Sequence, residues 1–325
     1  MTLRLTLAIL ASCLTTALAT APAAAQQNRT WVSGSGDDDA ACTRAAPCQT
    51  FAGALSKTAA GGEINCLDAG GFGAPTITKS ITIDCSGIYS SIQAPVGLQG
   101  MIINGAGIVV RIRGLSITGG PPPLPPNPRG IAGIRIVRAA SVILDDLEID
   151  GFHEEGDGYG VIIAPSVGQI RVHIADSVIS GNGSATSGAA IRVEPTASAS
   201  VLLTISGVQM VQNYRGLDVV ATGTTAGNTV YMTRSEIVGS ANNGINVQTN
   251  ANAVNLMVVH SGVINNLRGI VLAGAGASAR VGDTVIMGNG PATSVVGGAT
   301  ILSYRNSQID LNGNNTTPIT QVPLN

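Results

Sequence analysis

A repeating pattern of short apolar segments runs through most of this 325-residue chain. Each repeat contains a segment such as DLEIDG or DSVISGN, in which one apolar residue is followed closely by Gly or Asn. We call the shared apolar position the anchor. The anchors are Ile117, Ile149, Ile179, Met210, Ile237, Val263, Ile286 and Ile309. They are 32, 30, 31, 27, 26, 23 and 23 residues apart, a period typical of a solenoid of stacked coils.

A second segment of each repeat has the pattern of a β-strand. It reads GIRI, GVII, AIRV, GLDV, GINV and GIVL in successive repeats, and its second and fourth residues are always aliphatic. This alternation predicts a strand with one buried and one exposed face. A third apolar segment, such as SVIL or VLLTI, precedes each anchor. Three short strands per repeat, with connections too short for a crossover helix, predict an all-β solenoid.

Asparagine recurs three residues after the anchor in five of the eight repeats. These residues are Asn182, Asn213, Asn266, Asn289 and Asn312. Stacked coils place equivalent side chains above one another, so these amides can hydrogen-bond along the stack and to the turn backbone. We therefore interpret them as a structural asparagine ladder rather than as a functional array.

The repeats resemble the right-handed parallel β-helix, the fold of pectin-lyase-like proteins. Residues 29–84, which begin RTWVSGSGDDDAACTRAAPCQTF, are similar to the opening of a family of exported bacterial β-helix proteins of unassigned function. The resemblance implies right-handed coils, in agreement with the general rule for parallel crossovers. The repeats extend to about residue 313. The expected architecture is therefore a parallel β-helix of about ten coils, roughly 45–50 Å long at 4.8 Å per coil.

The N-terminus has the pattern of an export signal. An apolar stretch follows Arg4, and an A-x-A cleavage site ends at Ala25, so we expect an exported protein. A competing interpretation is a lipoprotein box that ends at Cys13 and would anchor the protein by a lipid. No later stretch is long and apolar enough for a transmembrane helix.

The ends of a solenoid need caps, because each end exposes an apolar cross-section and sheet edges. TFAGALSKTAAGG predicts an N-terminal capping helix that begins after Thr50 and is stopped by Gly61 and Gly62. PPPLPPNP at 121–128 predicts a protruding loop, since proline cannot donate to a strand ladder. The expected boundaries are 1–25 for the signal peptide, 26–62 for the N-terminal segment with its helix, 63–313 for the β-helix and 314–325 for a C-terminal tail.

Removal of a signal peptide would leave four cysteines, and an even number in an exported chain indicates disulfides. Cys66 and Cys85 each lie two residues after an isoleucine that is predicted to face inward on successive coils. Their Cα atoms would lie about 4.8 Å apart, within the range that a disulfide accepts. This register favours the pairs Cys66–Cys85 and Cys42–Cys48 over the two crossed connectivities.

The acidic segment 145–157 is the best candidate for a functional site, since it contains seven of the chain's 19 acidic residues. Asp146, Glu148 and Asp150 are expected to point outward on one face. Asp176 is equivalent to Asp146 on the next coil, one strand spacing or about 4.8 Å away. Three interpretations remain open: paired carboxylates for glycoside hydrolysis, a Ca²⁺ site formed by these four residues, and a solvated acidic patch that prevents edge pairing.

The composition of the chain and the absence of known catalytic motifs reduce the number of functions that fit the sequence. The formal net charge of −2 argues against nucleic acid and anionic membranes as partners. The motifs of the polygalacturonases and pectate lyases of this fold have no counterpart in the sequence. The leading hypothesis is a non-catalytic surface or polysaccharide-binding protein that needs no cofactor. The alternatives are a pectin-lyase-like polysaccharide lyase or glycoside hydrolase that uses the acidic segment, and a structural or adhesive element of the cell envelope.

Overall fold

The computed structural model of the chain describes residues 26–120, 130–314 and 316–323. The expected signal peptide, the alternative lipid site at Cys13 and the proline-rich segment 121–128 lie outside the described residues. The described chain forms one short helix and 29 strands, wound into a parallel β-solenoid of about ten turns. The all-β solenoid predicted from the repeats is therefore confirmed.

The strands are short, as the Gly-rich and Asn-rich turns require. The first part of the chain forms β1 (Gln27–Val32), β2 (Thr58–Cys66), β3 (Gly70–Gly71), β4 (Thr76–Ile77), β5 (Ile81–Asp84), β6 (Ser90–Gln93), β7 (Gln99–Asn104), β8 (Val109–Thr118), β9 (Ala132–Arg138), β10 (Ser141–Asp150), β11 (Tyr159–Ile163), β12 (Gln169–Ala175), β13 (Val178–Ser180) and β14 (Ala189–Val193).

Up to β28 the remaining strands repeat the same order of a longer strand, a three-residue strand and a strand of the other sheet, and the final strand, β29, joins the first sheet. They are β15 (Ser200–Ser206), β16 (Gln209–Val211), β17 (Leu217–Val220), β18 (Asn228–Thr233), β19 (Glu236–Val238), β20 (Asn243–Gln248), β21 (Val254–Val259), β22 (Gly262–Ile264), β23 (Arg268–Ala273), β24 (Ala277–Gly282), β25 (Val285–Met287), β26 (Thr293–Val296), β27 (Thr300–Ser303), β28 (Gln308–Asp310) and β29 (Thr320–Gln321).

These strands form two sheets. The second sheet has nine strands, β4, β7, β9, β11, β14, β17, β20, β23 and β26, and the first sheet contains the other 20. A regular coil such as β12, β13 and β14 contributes two strands to the first sheet and one to the second. The three predicted strands per repeat are therefore present.

The anchors pair with one another in a continuous row along the first sheet, from Ile117 to Ile309. All but the last are buried. Burial of one such aliphatic side chain contributes about 1.5–3 kcal/mol, so a row of this length is a main source of stability. The repeat shortens from 32 to 23 residues without disturbing the row, because the turns absorb the change.

The inward residues of the second sheet form a similar row. Ile134, Val161, Ile191, Leu217, Ile245 and Ile270 pair in register and are fully buried. The prediction that the opposite face is exposed is wrong in the middle of the sheet. Ile162, Asp218 and Asn246 point outward and are nevertheless buried. Tyr159 packs with Ile162 on this face, and neighbouring arginines contact Asp218.

The N-terminal cap contains the helix α1 (Phe51–Lys57). The Thr50 hydroxyl accepts a hydrogen bond from the Gly53 amide at 3.0 Å, as expected of an N-cap residue. The helix ends at Lys57 and not at the glycine pair, so that prediction is wrong. Thr58 is already extended and begins β2, and its hydroxyl donates to the Ala54 carbonyl at 2.7 Å.

The chain segments on either side of the predicted β-helix also contribute strands. In the segment 26–62, β1 pairs with β2 in parallel, so the first sheet begins before the predicted start at residue 63. In the tail, β29 pairs with β27 and adds a strand at the other end. Both ends of the stack are therefore covered partly by strand pairing.

Two disulfides staple the first coils. Cys66 and Cys85 are bonded with a Cα separation of 4.8 Å, and the isoleucines two residues before them are paired in register. Cys42 and Cys48 form the second bond, with Cα atoms 4.6 Å apart. The predicted pairing of the four cysteines is therefore confirmed.

The asparagine side chains form a ladder in two parts, buried except at its last member, Asn312. In the first part Asn182 Nδ2 donates to Asn213 Oδ1 at 3.0 Å. In the second, Asn266 donates to Asn289, and Asn289 to Asn312, both at 2.9 Å. Each accepting oxygen also receives the backbone N–H of the preceding asparagine. The ladder thus ties the turns of adjacent coils together.

Candidate functional site

Each regular coil contributes two consecutive strand segments to the first sheet, and the chain bends between them at one residue. The flanking pairs Asp145–Ala175 and Glu148–Val178 make Asp146 and Asp176 equivalent positions. Both have left-handed backbones, with φ of 54° and 43°, a conformation that aspartate tolerates better than most residues. We call the row of equivalent positions the corner row. It contains Gly114, Asp146, Asp176, Gly207, Arg234, His260 and Asp283.

The bend at Asp146 interrupts the alternation of β10. Leu144 and Leu147 are three residues apart, yet both are buried in the core. Asp145 and Asp146 therefore both lie outside the core, and regular alternation resumes at Leu147. From there Leu147 and Ile149 are buried, while Asp146 and Glu148 are exposed and Asp150 is partly exposed, in agreement with the predicted outward face.

A groove of about 800 Å³ runs beside this part of the corner row. We call it the acidic groove, because its charged lining residues are Asp146, Glu148 and Asp176. Tyr89 lines it too, and its side chain is 94% exposed. The hydroxyls of Ser91 and Ser116 complete the accessible polar lining, whereas the Ser90 hydroxyl is buried. The groove thus combines carboxylates, hydroxyls and one solvent-facing aromatic ring.

Two neighbouring acidic residues are placed differently. Asp150 is not among the described residues that line the groove. Asp145 Oδ2 accepts hydrogen bonds from Arg113, at 2.7 Å from Nη2 and 2.8 Å from Nε. Burial would raise the pKa of Asp84, but hydrogen bonds to Ser86 and the charge of Arg113 hold it below its ordinary value. Arg113 is therefore engaged between two carboxylates, on neighbouring coils, rather than free for a ligand.

The calcium interpretation gains no support from the geometry. Calcium takes six to eight oxygen ligands, usually from several carboxylates that converge on one point. The described chain contains no group of three or more His, Cys, Asp and Glu side chains placed to hold a metal ion. Asp146, Glu148, Asp150 and Asp176 thus lie near one another without forming such a group.

A smaller groove, of about 380 Å³, lies further along the same corner row. We call it the histidine groove. It is lined by His260 and Asp283, whose Nε2 and Oδ2 atoms are 3.2 Å apart, and by Met257 and Tyr304. The apolar strand before His260 suggests a ladder position for this residue, and the structure places it in the corner row with an exposed side chain. Two grooves therefore follow one edge of the solenoid.

Tyr89 and the histidine groove are not predicted by the sequence. Tyr89 follows a turn at Gly87 in a coil whose repeat pattern is weak, so no periodic signal marks it. The residues of the histidine groove come from three coils and are brought together only by the strand register. In the sequence, His260 and Asp283 are only single polar residues that lie three positions before an anchor. Another repeat, which lines no groove, also has a polar residue there, so the pattern does not identify the site.

Comparison with known proteins identifies the fold alone. No protein-family model matches the chain, and no match is found among curated proteins. The chain is similar to a solved pectate lyase, Pel9A, with a TM-score of 0.58 and 12% sequence identity. The similarity covers 91% of this chain and 80% of the lyase. At this identity the match supports the parallel β-helix architecture and leaves the activity open.

The two disulfides indicate the kind of cellular compartment in which the protein resides. Disulfides persist in oxidising environments such as the periplasm or the extracellular space. The two disulfides therefore suggest a protein of an oxidising compartment outside the cytoplasm. Among the described residues, no helix has the length and apolar character that a membrane span requires.

Proposed function

We propose that the protein is an exported, non-catalytic β-helix that binds a neutral polysaccharide along the corner row. The proposal is carried by the lining of the acidic groove, where carboxylates and serine hydroxyls lie beside the exposed ring of Tyr89. Sugar hydroxyls donate to carboxylates and exchange hydrogen bonds with serines. The aromatic ring offers an apolar surface on which one face of a sugar can pack.

The charge of the acidic groove favours a neutral ligand over an acidic one. Asp146, Glu148 and Asp176 bring negative charge to it, and its described lining contains no Lys, Arg or His. A polymer of uronic acids would be repelled, since like charges placed together are costly at an interface. Proton abstraction by a lyase would also need a base of suitable pKa within hydrogen-bonding reach. These residues support glycan binding better than the lyase alternative.

The position of the two grooves supports an extended ligand. Asp146 and Asp283 are five positions apart on the corner row. Five coils correspond to about 24 Å at the strand spacing of a sheet. Tyr89 and Tyr304 place an aromatic ring in each groove. A polysaccharide chain that follows this edge could occupy both grooves at once, whereas a single sugar could occupy only one.

The binding proposal is tested with Tyr89→Ala on a panel of neutral and acidic polysaccharides. We expect wild-type protein to bind a neutral polymer, and the variant to bind it about tenfold more weakly, a loss of about 1.4 kcal/mol. Val167→Ala is the matched control, because Val167 is also exposed and lies in a turn between β11 and β12. Retention of acidic polymers alone, or equal binding by both variants, would contradict the proposal.

The glycoside hydrolase alternative is tested by product analysis. Asp146 and Asp176 are one coil apart, so two carboxylates do flank a common surface. We expect no release of reducing ends from any polysaccharide that the wild-type protein binds. Release that disappears in a variant carrying Asp146→Asn and Asp176→Asn would establish a hydrolase and overturn the non-catalytic proposal.

Calcium is tested independently of any glycan. A ligand that binds only the folded protein raises its melting temperature in proportion to the logarithm of its concentration. We expect the same melting temperature in chelator and in millimolar Ca²⁺. A rise with Ca²⁺ that Asp146→Asn removes would establish a calcium site in the acidic groove.

The export step is tested on the mature protein. Mass spectrometry should find Gln26 at the N-terminus if cleavage follows the A-x-A site. A lipid-modified Cys13 would instead establish a membrane-anchored lipoprotein and place the solenoid at a membrane surface.

A further inference from the structure

An arginine cluster covers the outer face of the second sheet, away from the corner row. Arg192 in β14, Asp218 in β17 and Asn246 in β20 occupy one register position on successive coils. Arg215 lies just before β17, and Arg268 is the first residue of β23. Asp218 has no exposed surface, although it points away from the hydrophobic core. Such a buried charge on an outer face needs an explanation beyond strand pairing.

Both oxygens of Asp218 are fully used. Oδ1 accepts from Asn246 Nδ2 at 2.7 Å, and Oδ2 accepts from Arg192 Nη1 at 2.5 Å. Arg215 Nη1 approaches the same Oδ2 at 3.5 Å, too far for a good hydrogen bond. Arg192 Nη2 donates to Glu194 at 2.9 Å. Burial would lower the pKa of Arg192, but the charge of Asp218 and the hydrogen bond to Glu194 raise it above its ordinary value, so the guanidinium stays protonated.

The cluster has more hydrogen-bond donors than the described acceptors use. Arg192 and Arg215 contact the carboxylate of Asp218, Arg192 also contacts Glu194, and Arg268 contacts only Asn243, at 3.5 Å. The Arg215 side chain makes no hydrogen bond to the described chain, although only 22% of it is exposed. The Nε atoms of Arg192 and Arg215 are buried and have no partner among the described residues. A mostly buried guanidinium without an acceptor is costly, so an acceptor is missing here.

The surroundings hold the Arg215 guanidinium in a fixed place. It lies over the ring of Tyr214, with 4.8 Å from its central carbon to the ring centroid. The Tyr214 hydroxyl accepts from Asn242 at 2.9 Å, which fixes the ring. The Arg192 guanidinium lies 5.8 Å from the centre of the Tyr159 ring in the same way. Stacking on an aromatic face leaves the edge of a guanidinium available for a planar or tetrahedral anion.

We propose that Arg215, supported by Arg192, binds an oxyanion group at this cluster. A carboxylate, sulfate or phosphate matches the fork of N–H donors that a guanidinium presents, and the Arg215 guanidinium lacks a hydrogen-bond acceptor among the described residues. Asp218 is the positioning residue, since it orients Arg192 and draws Arg215 toward the sheet. The site lies on the second sheet and takes an anion, so it is independent of the neutral glycan proposed for the corner row.

The experiment titrates wild-type protein with sulfate, phosphate and glucuronate at low ionic strength, with glucose as the uncharged control. Calorimetry gives the affinity, and the NMR signals of the arginine Nε–H groups report the contact. We expect saturable binding of at least one anion, with a shift of the Arg215 signal and no response to glucose. Sulfate or phosphate binding best would indicate a free or ester oxyanion, and glucuronate binding at least tenfold better would indicate an acidic sugar.

The variants separate binding from a purely structural ion pair. Arg215→Gln should weaken binding at least tenfold, and Arg215→Lys should weaken it less, because the charge remains while the planar fork is lost. Arg171→Gln is the control, since Arg171 is exposed on the first sheet. Asp218→Asn should weaken binding and shift the Arg215 Nε–H signal of the free protein, because it removes the charge that holds both guanidiniums in place. No saturation by any anion, or equal weakening by Arg171→Gln, would overturn the proposal.

Discussion

At the scale of single residues, Ser240 marks the interruption of the asparagine ladder. It lies at the ladder position between Asn213 and Asn266, and its backbone N–H donates to Asn266 Oδ1 at 2.9 Å. Its hydroxyl is buried and has no hydrogen-bond partner in the described chain. A buried polar group without a partner is destabilising by about 1–3 kcal/mol, so this position is a weak point of an otherwise satisfied row.

Ser240→Asn should join the two parts of the ladder. Gly216 precedes Leu217 as Gly244 precedes Ile245, its strand partner, and a Cβ at Gly244 would lie only 2.9 Å from the Asn266 amide nitrogen. By this equivalence the glycine at 216 leaves room for an amide at position 240. One added hydrogen bond contributes about 1 kcal/mol, and we expect a gain of that size in the free energy of unfolding. Denaturant titration measures it. Ser240→Ala, which removes the hydroxyl without completing the ladder, is the control, and an asparagine variant no more stable than it would refute the ladder argument.

Asp68 predicts a pH dependence of stability at the N-terminal end. Its carboxylate accepts from the Ser33 hydroxyl at 2.6 Å and from the Gly34 amide at 2.7 Å. These hydrogen bonds lower the pKa of Asp68 below its ordinary value of 3.8. A lowered pKa contributes stability that is present above 3.8 and is lost as the pH falls through the folded-state pKa.

Asp68→Asn should therefore destabilise the protein at neutral pH and have little effect in strong acid. Denaturant titrations of both proteins at the two pH values measure the difference. Asp39→Asn is a suitable control, because Asp39 is exposed in the same region and its side chain makes no hydrogen bond to the described chain. A cost for Asp68→Asn that persists unchanged in strong acid would show that the carboxylate charge is not its origin.

At the scale of elements, the two disulfides should contribute unequally. The bond Cys66–Cys85 closes a loop of 19 residues and joins β2 to the end of β5, whereas Cys42–Cys48 closes one of six. Loop-closure entropy gives about 3 kcal/mol for the longer loop and about 2 kcal/mol for the shorter one. Replacing both cysteines of a pair by serine tests this difference in denaturant titrations. A larger loss for the shorter loop would show that the entropy of the unfolded chain does not govern the stabilisation.

The strands could be predicted from the sequence wherever the same side-chain pattern recurs in every coil. The anchors and the inward residues of the second sheet could be read from the sequence, because each aliphatic position is repeated and each must be buried. The helix end could not, since Thr58 satisfies the last turn and starts β2 before the glycine pair is reached. Burial of Asp218 could not be read either, because it depends on Arg192 from another coil and on the strand register.

The candidate sites illustrate the same limit. The acidic residues near Asp146 are close together in sequence, yet Asp145 is paired with Arg113 and Asp150 lies outside the groove. Tyr89 and the arginines of the cluster contact residues that are far from them in the sequence. The residue types at outward positions of a solenoid follow no period. Contacts between these side chains can therefore be recognised only once the register of the stacked coils is known.

At the scale of the whole molecule, the two ends of the solenoid differ. The N-terminal end has two disulfides, α1 and the buried contact between Phe51 and Phe72, whose ring centres are 5.2 Å apart. At the C-terminal end the last anchor, Ile309, is only partly buried, and Leu311 is 74% exposed. The final strand, β29, has two residues. Because coils of a solenoid contact only their neighbours, such an end can open without the rest.

Hydrogen exchange should therefore show a gradient of protection along the stack. We expect amides of β27, β28 and β29 to exchange first, and those of β12 to β20 last, because opening a central coil breaks contacts on both of its sides. Ile286→Ala removes a buried anchor next to the C-terminal coil and should extend the fast-exchanging region toward β24. The cost of about 2–5 kcal/mol for such a truncation should appear mainly at this end.

Mass spectrometry of peptic fragments measures this gradient, and Ile179→Ala provides the matched comparison in a central coil. Both isoleucines are fully buried anchors of the same row, so the two truncations remove the same side-chain atoms from equivalent positions. If stacking is local, the central variant should weaken its own coil and its neighbours while β27 to β29 exchange as before. Uniform loss of protection along the chain in both variants would mean instead that the solenoid unfolds as one cooperative unit, because no coil could then open separately.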